Sequence, residues 1–254
     1  MKEELTINGF QNEIIIAKYL NNKKVKEVNP IFKDLITKLY RNIDKESIIK
    51  SQIDYTKKKY DLIINIDNVI KRISIKKGIN NSVHVEGISS FIHFLIDSGI
   101  EKNVIEEYLK YHYADGTTNG IGNKRLSSEK YKEQNQDKID YINSKINTPY
   151  MLDRAINRFV LQGKNSSIKI DGIIYGTVND FFFLTKVEIK DIIMSQINLK
   201  STGVHFGPLF CGPMTRNLNN NPKYESKRFC IQIKWYSLHD DIIKYLYKNN
   251  VIKM

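Results

Sequence analysis

Residues 57–86 read KKKYDLIINIDNVIKRISIKKGINNSVHVE, and this stretch decides the fold. Two short runs rich in isoleucine, residues 60–66 and 69–76, predict β-strands because β-branched side chains favour extended backbone. Asp67 and Asn68 separate the runs and form a favourable pair for a tight hairpin turn. Such a hairpin brings Asp61, at the start of the first strand, beside the end of the second strand.

The end of the second strand carries a candidate catalytic pair. Ser74 and Lys76 are two residues apart, so both side chains project from one face of the strand. Asp61 and Lys76 therefore converge at one edge of the sheet. A divalent cation at that edge would take oxygen ligands from Asp61 and from the backbone carbonyl of Ile75. Lys76 would hold or deprotonate an attacking water while the cation polarises a phosphodiester.

This arrangement resembles the PD-(D/E)xK nuclease superfamily, in particular its small type II restriction endonucleases. In that pattern an aspartate opens one strand and an acid-x-lysine triplet lies on the next. Asp61 matches the aspartate and Lys76 matches the lysine. Tyr60 stands where the family often has proline, and Ser74 replaces the usual acid.

The serine leaves the second acid of the site open. The resemblance implies that a glutamate on or near a helix replaces it, as in restriction enzymes that carry a neutral residue at this position. Glu86, just before the next predicted helix, is one candidate. Glu13 is the other, because the stretch NGFQNE at residues 8–13 resembles the start of the N-terminal helix that lines many of these sites. The expected metal ligands are Asp61, the carbonyl of Ile75 and Glu86.

A second string, Asp171 followed by Glu188-Ile189-Lys190, matches the acid-x-lysine pattern more literally. Its local sequence predicts something else. Thr185 and Glu188 have the spacing of a capping box, and isoleucines then follow at helical spacing. A glutamate and a lysine on the first turn of a helix do not share one strand face, so this pair is the reserve candidate only.

The remaining segments predict a mixed α/β (α+β) chain without repeats. The resemblance implies a restriction-endonuclease-like core with a central mixed sheet flanked by helices. We expect a single two-lobed domain. Residues 1–113 would form the catalytic core, residues 114–147 a polar connection that contacts DNA, and residues 148–254 a DNA-recognition lobe.

Charge points to a polyanionic partner. The 254 residues include 40 Lys and Arg against 28 Asp and Glu, a formal net charge of +12. A bias towards Lys, Asn and Ile from AT-rich coding would produce part of this excess without any function. Residues 200–234, however, hold six basic residues against one acid, interleaved with aromatics. We expect double-stranded DNA to be contacted by Lys124, Arg125, His205, Arg216, Asn217, Lys227 and Arg228, with Arg216 and Asn217 reading bases.

Other classes are disfavoured. No apolar run approaches the roughly 20 residues of a membrane span, and the first residues lack the apolar stretch of a secretion signal. Two cysteines are too few for a disulfide scaffold. The sequence therefore predicts a soluble, cytoplasmic protein, and it leaves monomer and homodimer both open.

The function that follows is a Mg²⁺-dependent type II restriction endonuclease that hydrolyses duplex DNA at a specific site. Ser74 keeps a second possibility open, namely a DNA-binding protein that retains the fold without a working site. A structure-specific nuclease of DNA repair or recombination is the third.

Overall fold

The computed structural model describes residues 8–56, 58–79, 81–122, 124–164, 167–214, 216 and 222–251. The chain divides into two compact units. The first comprises Met1–Asn81, Val160–Ile192 and Leu238–Met254, and the second comprises Ser82–Phe159 and Ile193–Ser237. This division differs from the lobes expected from the sequence, because residues 82–113 belong to the second unit and the chain returns to the first unit twice.

The first unit is built on a five-stranded mixed sheet. Its strands are β1 (Lys50–Ile53), β2 (Leu62–Ile66), β3 (Val69–Lys76), β5 (Gly172–Gly176) and β6 (Phe181–Thr185), in the order β1-β2-β3-β5-β6. β3 and β5 pair in parallel, and the other neighbours are antiparallel. The predicted mixed sheet flanked by helices is thus confirmed.

The β2–β3 hairpin has the predicted two-residue turn. Ile66 pairs with Val69, and both Asp67 and Asn68 have positive φ, 49° and 66°. Two central residues with positive φ give the turn the twist that antiparallel strands require. The hairpin register then pairs Leu62 with Ile73, which fixes what lies opposite the start of β2.

Two N-terminal helices, α1 (Gly9–Leu20) and α2 (Pro30–Leu39), cover one face of this sheet. α1 begins with a capping box between Asn8 and Gln11, and its residues Ile16, Ala17 and Leu20 are buried in the core shared with the strands. The Ser51 hydroxyl on β1 donates to the carbonyl of Ala17 at 2.6 Å, which ties α1 to the sheet. The helices α7 (Lys186–Met194) and α8 (Leu238–Lys248) follow later in the chain.

The second unit contains a four-stranded sheet in the order β4-β9-β8-β7. Its strands are β4 (Asn81–Gly87), β7 (His205–Phe206), β8 (Leu209–Pro213) and β9 (Cys230–Trp235). Four helices accompany it: α3 (Ile88–Asp97), α4 (Lys102–Tyr113), α5 (Ser128–Ile146) and α6 (Pro149–Ala155). Aromatic rings from several elements form its core, among them Phe91, Phe159 and Phe206. No helix within the described ranges has the length and apolarity needed to span a membrane.

Sequence patterns missed the elements that carry little local signal. β1 is only four residues long, and β7 and β8 surround a Gly-Pro corner that reads as loop. β9 begins at Cys230, directly after a 3-10 helix formed by Pro222–Phe229. The helix α6 is followed directly by a π-helical segment, Ile156–Gln162.

The capping box that argued against the second acid-x-lysine string is present. The amide of Thr185 donates to Glu188 Oε2 at 2.7 Å, and the amide of Glu188 donates to Thr185 Oγ1 at 3.3 Å. Asp171 accepts from the amide of Arg72 at 2.9 Å and pairs with Lys71 and Lys186. The contacts between Thr185 and Glu188 mark the junction of β6 and α7. Glu188 and Asp171 therefore both have structural roles.

This arrangement yields a stability prediction. Thr185→Ala removes an N-cap acceptor and should lower the free energy of unfolding by about 1 kcal/mol, measured by urea titration. Lys190→Ala, on the exposed side of the same helix, serves as the matched control and should change stability by less than about 0.5 kcal/mol. Equal losses in the two variants would contradict the capping role.

Candidate active site

The site is organised around the carboxylate of Asp61, immediately before β2. The amide of Asp61 donates to the carbonyl of Ile73 at 2.9 Å and so extends the hairpin ladder by one residue. Asp61 Oδ2 accepts hydrogen bonds from Ser74 Oγ at 3.0 Å and from the amide of Ile75 at 2.6 Å. The backbone of β3 and the serine thereby hold the carboxylate in one orientation, in which Oδ2 is engaged with the chain.

Ser74 has a different role from the acid that it replaces. It is 1% exposed, and its hydroxyl donates to the Asp61 carboxylate. A hydroxyl that donates a hydrogen bond to a carboxylate fixes the orientation of that carboxylate. Ser74 is therefore a positioning residue for Asp61.

Lys76 completes the strand side of the site. Its Nζ lies 3.6 Å from Asp61 Oδ2 and donates to the carbonyl of Ile75 at 3.0 Å. The ammonium thus bridges two oxygens that were expected as metal ligands. The three residues that the hairpin argument placed together, Asp61, Ser74 and Lys76, are together in the structure.

Glu13 on α1 is the glutamate that is coupled to this cluster. Its pKa is raised from 4.5 to about 7, first by burial and then by the negative charge of Asp61, while the positive charge of Lys76 opposes the shift. A carboxyl group responds in this way only where it shares its surroundings with the other charges. α1 brings Glu13 there because its buried face, including Ile16 and Leu20, is packed on the sheet.

Glu86, the other candidate for the second acid, has its own partners within the second unit. It is 6% exposed at the end of β4 in the second unit, where Arg158 Nη2 lies 2.6 Å from its Oε2. His84 Nε2 lies 3.4 Å from the same oxygen. Burial alone would raise the pKa of Glu86, yet its interactions with His84 and Arg158 hold that pKa below its ordinary value. The charge of this carboxylate is therefore compensated by neighbouring side chains of the second unit.

Lys59 is a candidate that the sequence reasoning missed. Lys59 precedes the buried Tyr60 in the sequence, and Asp61 follows it. The side chains of Lys59 and Asp61 are both half-buried. Its pKa is lowered from 10.5 to about 7, first by burial and then by the charge of Lys76, with Asp61 opposing. The sequence carried no signal for Lys59 beyond its position two residues before Asp61 in a run of lysines.

The donor set fits a hard divalent cation. Asp61, Glu13 and the carbonyl of Ile75 are all oxygen ligands of the kind that Mg²⁺ takes. The negative charge of Asp61 raises the pKa of Glu13. A cation bound between these two carboxylates would be stabilised by both charges. Among the described residues, no cluster of three or more His, Cys, Asp or Glu could hold a metal ion, so the side-chain ligands offered here are the two carboxylates of Asp61 and Glu13.

Three of the residues expected at DNA have buried structural positions instead. Arg125 is 6% exposed and donates to the carbonyls of Tyr113 and His112, both at 2.7 Å. Arg216 is 3% exposed and donates to the carbonyl of Tyr111. These guanidinium groups satisfy the carbonyls at the end of α4, where the negative end of the helix dipole favours cations.

His205 is buried as well, and its Nδ1 lies 2.8 Å from the carbonyl of Gly207. Arg228 pairs with the carboxylate of Asp115. Lys227 is half-buried near the ring of Tyr224, and Lys124 is exposed. Asn217 lies outside the described residues. Of the expected DNA contacts, Lys124 has the exposure that a phosphate contact needs.

A known protein shares this fold. The chain is similar to the structure of the restriction endonuclease MspI in complex with its cognate DNA, with a TM-score of 0.58 and 16% identity. The match covers 92% of this chain and 92% of MspI. No family model and no curated protein sequence matches the chain. The chain therefore has a type II restriction-endonuclease-like fold, as its hairpin motif predicted.

The role of Ser74 can be tested by removing its hydroxyl. Ser74→Ala leaves the Asp61 carboxylate without one of its two donors; for the DNA cleavage proposed below, it should lower kcat by roughly tenfold while leaving KM near its wild-type value. Ser74→Thr keeps the hydroxyl and should restore most of the rate. A fully active alanine variant, measured by plasmid cleavage, would contradict the positioning role.

The coupling of Glu13 predicts a pH-dependent stability. The pKa of the Glu13 carboxyl group is raised from 4.5 to about 7 in the folded chain, so ionisation of this group opposes folding. The free energy of unfolding therefore falls as the pH rises from about 4.5 through 7. Glu13→Gln should therefore raise Tm at pH 8 and leave it nearly unchanged at pH 4.

Adding Mg²⁺ tests whether Glu13 affects stability as a metal ligand or only through packing. Saturating Mg²⁺ should raise the Tm of the wild-type protein at pH 8 and have a smaller effect on Glu13→Gln. Glu86→Gln is the comparison, since its carboxylate is paired with Arg158; it should lower Tm yet retain the Mg²⁺ shift. An unchanged Mg²⁺ shift in Glu13→Gln would contradict the assignment of Glu13.

Proposed function

We propose that this protein is a Mg²⁺-dependent, site-specific endonuclease of double-stranded DNA, acting as a type II restriction enzyme. The observation that carries the proposal is the cluster of Asp61, Lys76 and Glu13 at the end of the β2–β3 hairpin. The likeness of the fold to MspI supports it. The net charge of +12 suits a polyanionic substrate.

The residues of the chain have distinct tasks in the proposed reaction. Asp61, held by Ser74 and by the amide of Ile75, presents its carboxylate in a fixed direction. Glu13 offers a second carboxylate, which is ionised above its pKa of about 7. When bound there, Mg²⁺ would polarise the phosphodiester and stabilise the charge that develops on it.

Lys76 is the residue that positions the attacking water. Its ammonium is anchored on the carbonyl of Ile75 and lies 3.6 Å from Asp61 Oδ2. From that position it orients a water molecule for attack on the phosphorus opposite the leaving 3′ oxygen. Hydrolysis forms a bond from the water oxygen to phosphorus and breaks the bond from phosphorus to the 3′ oxygen. The water releases a proton to solvent and the 3′ oxygen takes one from solvent, so the products are a 5′ phosphate and a 3′ hydroxyl.

A DNA-binding protein without activity is the competing candidate, and one observation favours it. The β2–β3 hairpin contributes one carboxylate to the site, that of Asp61, because Ser74 stands at the position of the second acid. The proposal answers this deficit with Glu13, so the two candidates differ in whether the site is complete. A plasmid incubated with Mg²⁺, or with EDTA as the control, separates them.

The pattern of cleavage separates restriction from repair. A restriction enzyme cuts a linear duplex into discrete fragments of reproducible size. A structure-specific nuclease leaves that duplex intact and cuts only junctions or flaps.

Substitutions at the centre provide the direct test. Asp61→Ala and Lys76→Ala should each reduce the cleavage rate by at least about 10³-fold while duplex binding in gel-shift assays stays measurable. The matched control is Lys190→Ala, which changes the lysine of the second acid-x-lysine string and should cleave at the wild-type rate. Full cleavage by either site variant would sink the proposal, as would loss of cleavage in Lys190→Ala alone.

A further inference from the structure

Two aromatic side chains of the first unit are exposed next to the candidate active site. Phe10, on the first turn of α1, is 51% exposed, and Tyr55, in the loop between β1 and β2, is 74% exposed. Their ring centroids lie 6.3 Å apart and the ring planes are inclined at 68°, which is an edge-to-face contact. We call them the Phe10–Tyr55 pair. Folding normally removes large rings from water, so two exposed rings in contact with each other suggest a ligand.

Phe10 is connected to the site through α1. Phe10 and Glu13 are three residues apart in this helix, so their side chains are neighbours on one face. The negative charge of Asp61 raises the pKa of Glu13, and the positive charge of Lys76 opposes that shift. Phe10 therefore lies one helical turn from a carboxyl group that is coupled to the catalytic cluster.

Tyr55 is connected to the same site through the sheet. The amide of Asp54 donates to the carbonyl of Asp61 at 3.1 Å, which extends the β1–β2 ladder by one pair. Tyr55 is the next residue after this contact. The hydroxyl of Thr56 lies 2.8 and 2.7 Å from the two carboxylate oxygens of Asp54, and this contact spans the backbone of Tyr55. The backbone that carries the tyrosine is thus held beside Asp61.

The side chain of Tyr55 offers two kinds of contact. Its ring is apolar, and its hydroxyl donates hydrogen bonds. Because most of the residue is exposed, both parts are accessible to a ligand. The edge-to-face contact with Phe10 limits the directions that the ring can take, so less conformational freedom is lost when a ligand binds.

The position of the pair indicates which ligand it meets. In the proposed reaction, Asp61 and Glu13 act on one phosphodiester of a DNA strand. A sugar and a further phosphate follow on each side of that phosphodiester, so groups that surround the site face the adjoining nucleotides. Tyrosine is one of the side chains that donate to phosphate oxygens, and its ring suits the apolar side of a deoxyribose. Two rings are much less than the apolar area of a protein–protein interface.

We propose that Tyr55 positions the substrate: its hydroxyl donates to the DNA phosphate next to the scissile one, its ring packs on the sugar between them, and Phe10 holds the tyrosine in place. The inference rests on the proposed function and deepens it, because it names the residue that aligns the strand with Asp61. Tyr55 makes and breaks no covalent bond. Its effect is to hold the scissile phosphate at the catalytic groups, where small displacements are costly.

The test combines changes in the protein with changes in single phosphates. The cleavage site is first located by sequencing the ends of plasmid DNA cut by the wild-type protein with Mg²⁺. Short duplexes containing that site are then made with one methylphosphonate, which carries no charge, at each phosphate that flanks the scissile one. The kcat/KM of cleavage is measured for every duplex. At one flanking phosphate, the modification should lower the wild-type value by about tenfold.

Tyr55→Phe removes only the hydroxyl. It should lower kcat/KM on the unmodified duplex by about tenfold, and the methylphosphonate at the contacted phosphate should then cause little further loss, because both changes remove the same hydrogen bond. At the other phosphates the variant should respond as the wild-type protein does. Tyr150→Phe is the matched control, since Tyr150 is 58% exposed on α6 in the second unit; it should match the wild-type protein on every duplex.

Phe10 is tested by its ring. Phe10→Ala should lower kcat/KM by about threefold and weaken the discrimination against the methylphosphonate, because the tyrosine is no longer held. Phe10→Tyr keeps the ring and should retain both. The Tm of each variant should stay close to that of the wild-type protein, because both side chains are exposed.

The outcomes separate this inference from the proposed function. If the wild-type protein cleaves the duplex and Tyr55→Phe cleaves it equally well, the contact is overturned and the nuclease stands. Losses from Tyr55→Phe and from the methylphosphonate that simply add at every position would also overturn the contact. If Phe10→Ala changes the oligomeric state in gel filtration but not cleavage, the pair belongs to an interface between copies of the chain, and the contact is again overturned. If the wild-type protein cuts no duplex, the proposed function fails and the inference fails with it.

Discussion

The carboxylate of Asp61 accepts hydrogen bonds from Ser74 Oγ and from the amide of Ile75, and the geometry of the site depends on this contact across the hairpin. The contact exists because the β2–β3 register places Asp61 opposite the end of β3. A slip of one residue would turn Ser74 and Lys76 to the opposite face of the sheet and bury a lysine in the core. The turn at Asp67 and Asn68, whose positive φ values fix the register, is thus a determinant of the site.

The sequence predicts the parts of this protein whose causes are local. The hairpin follows from β-branched runs around a two-residue turn, and the capping box at Thr185 and Glu188 follows from spacing alone. The same local argument placed Glu188 at the start of a helix, whereas Ser74 and Lys76 lie on a strand. The fold class followed from that hairpin, and the likeness to the MspI structure confirms it.

The remaining features depend on tertiary packing, which a single sequence does not display. The sequence does not distinguish Glu13 from Glu86, whereas in the structure α1 packs on the sheet that carries Asp61 and Glu86 pairs with Arg158. Arg125 and Arg216 are basic residues in suitable segments for DNA contact, but the carbonyls at the end of α4 bind them. The number of basic residues in the sequence therefore overestimates the number of arginines that can contact DNA, because some of these arginines are buried.

The proposed activity requires a cation position between Asp61, Glu13 and the carbonyl of Ile75. The most direct measurement is anomalous diffraction from crystals of the protein soaked in Mn²⁺, which replaces Mg²⁺ and scatters anomalously. The account predicts one strong peak about 2.2 Å from oxygens of Asp61 and of Ile75, with Glu13 bound directly or through water. A peak at Glu86, or no peak beside Asp61, would contradict it.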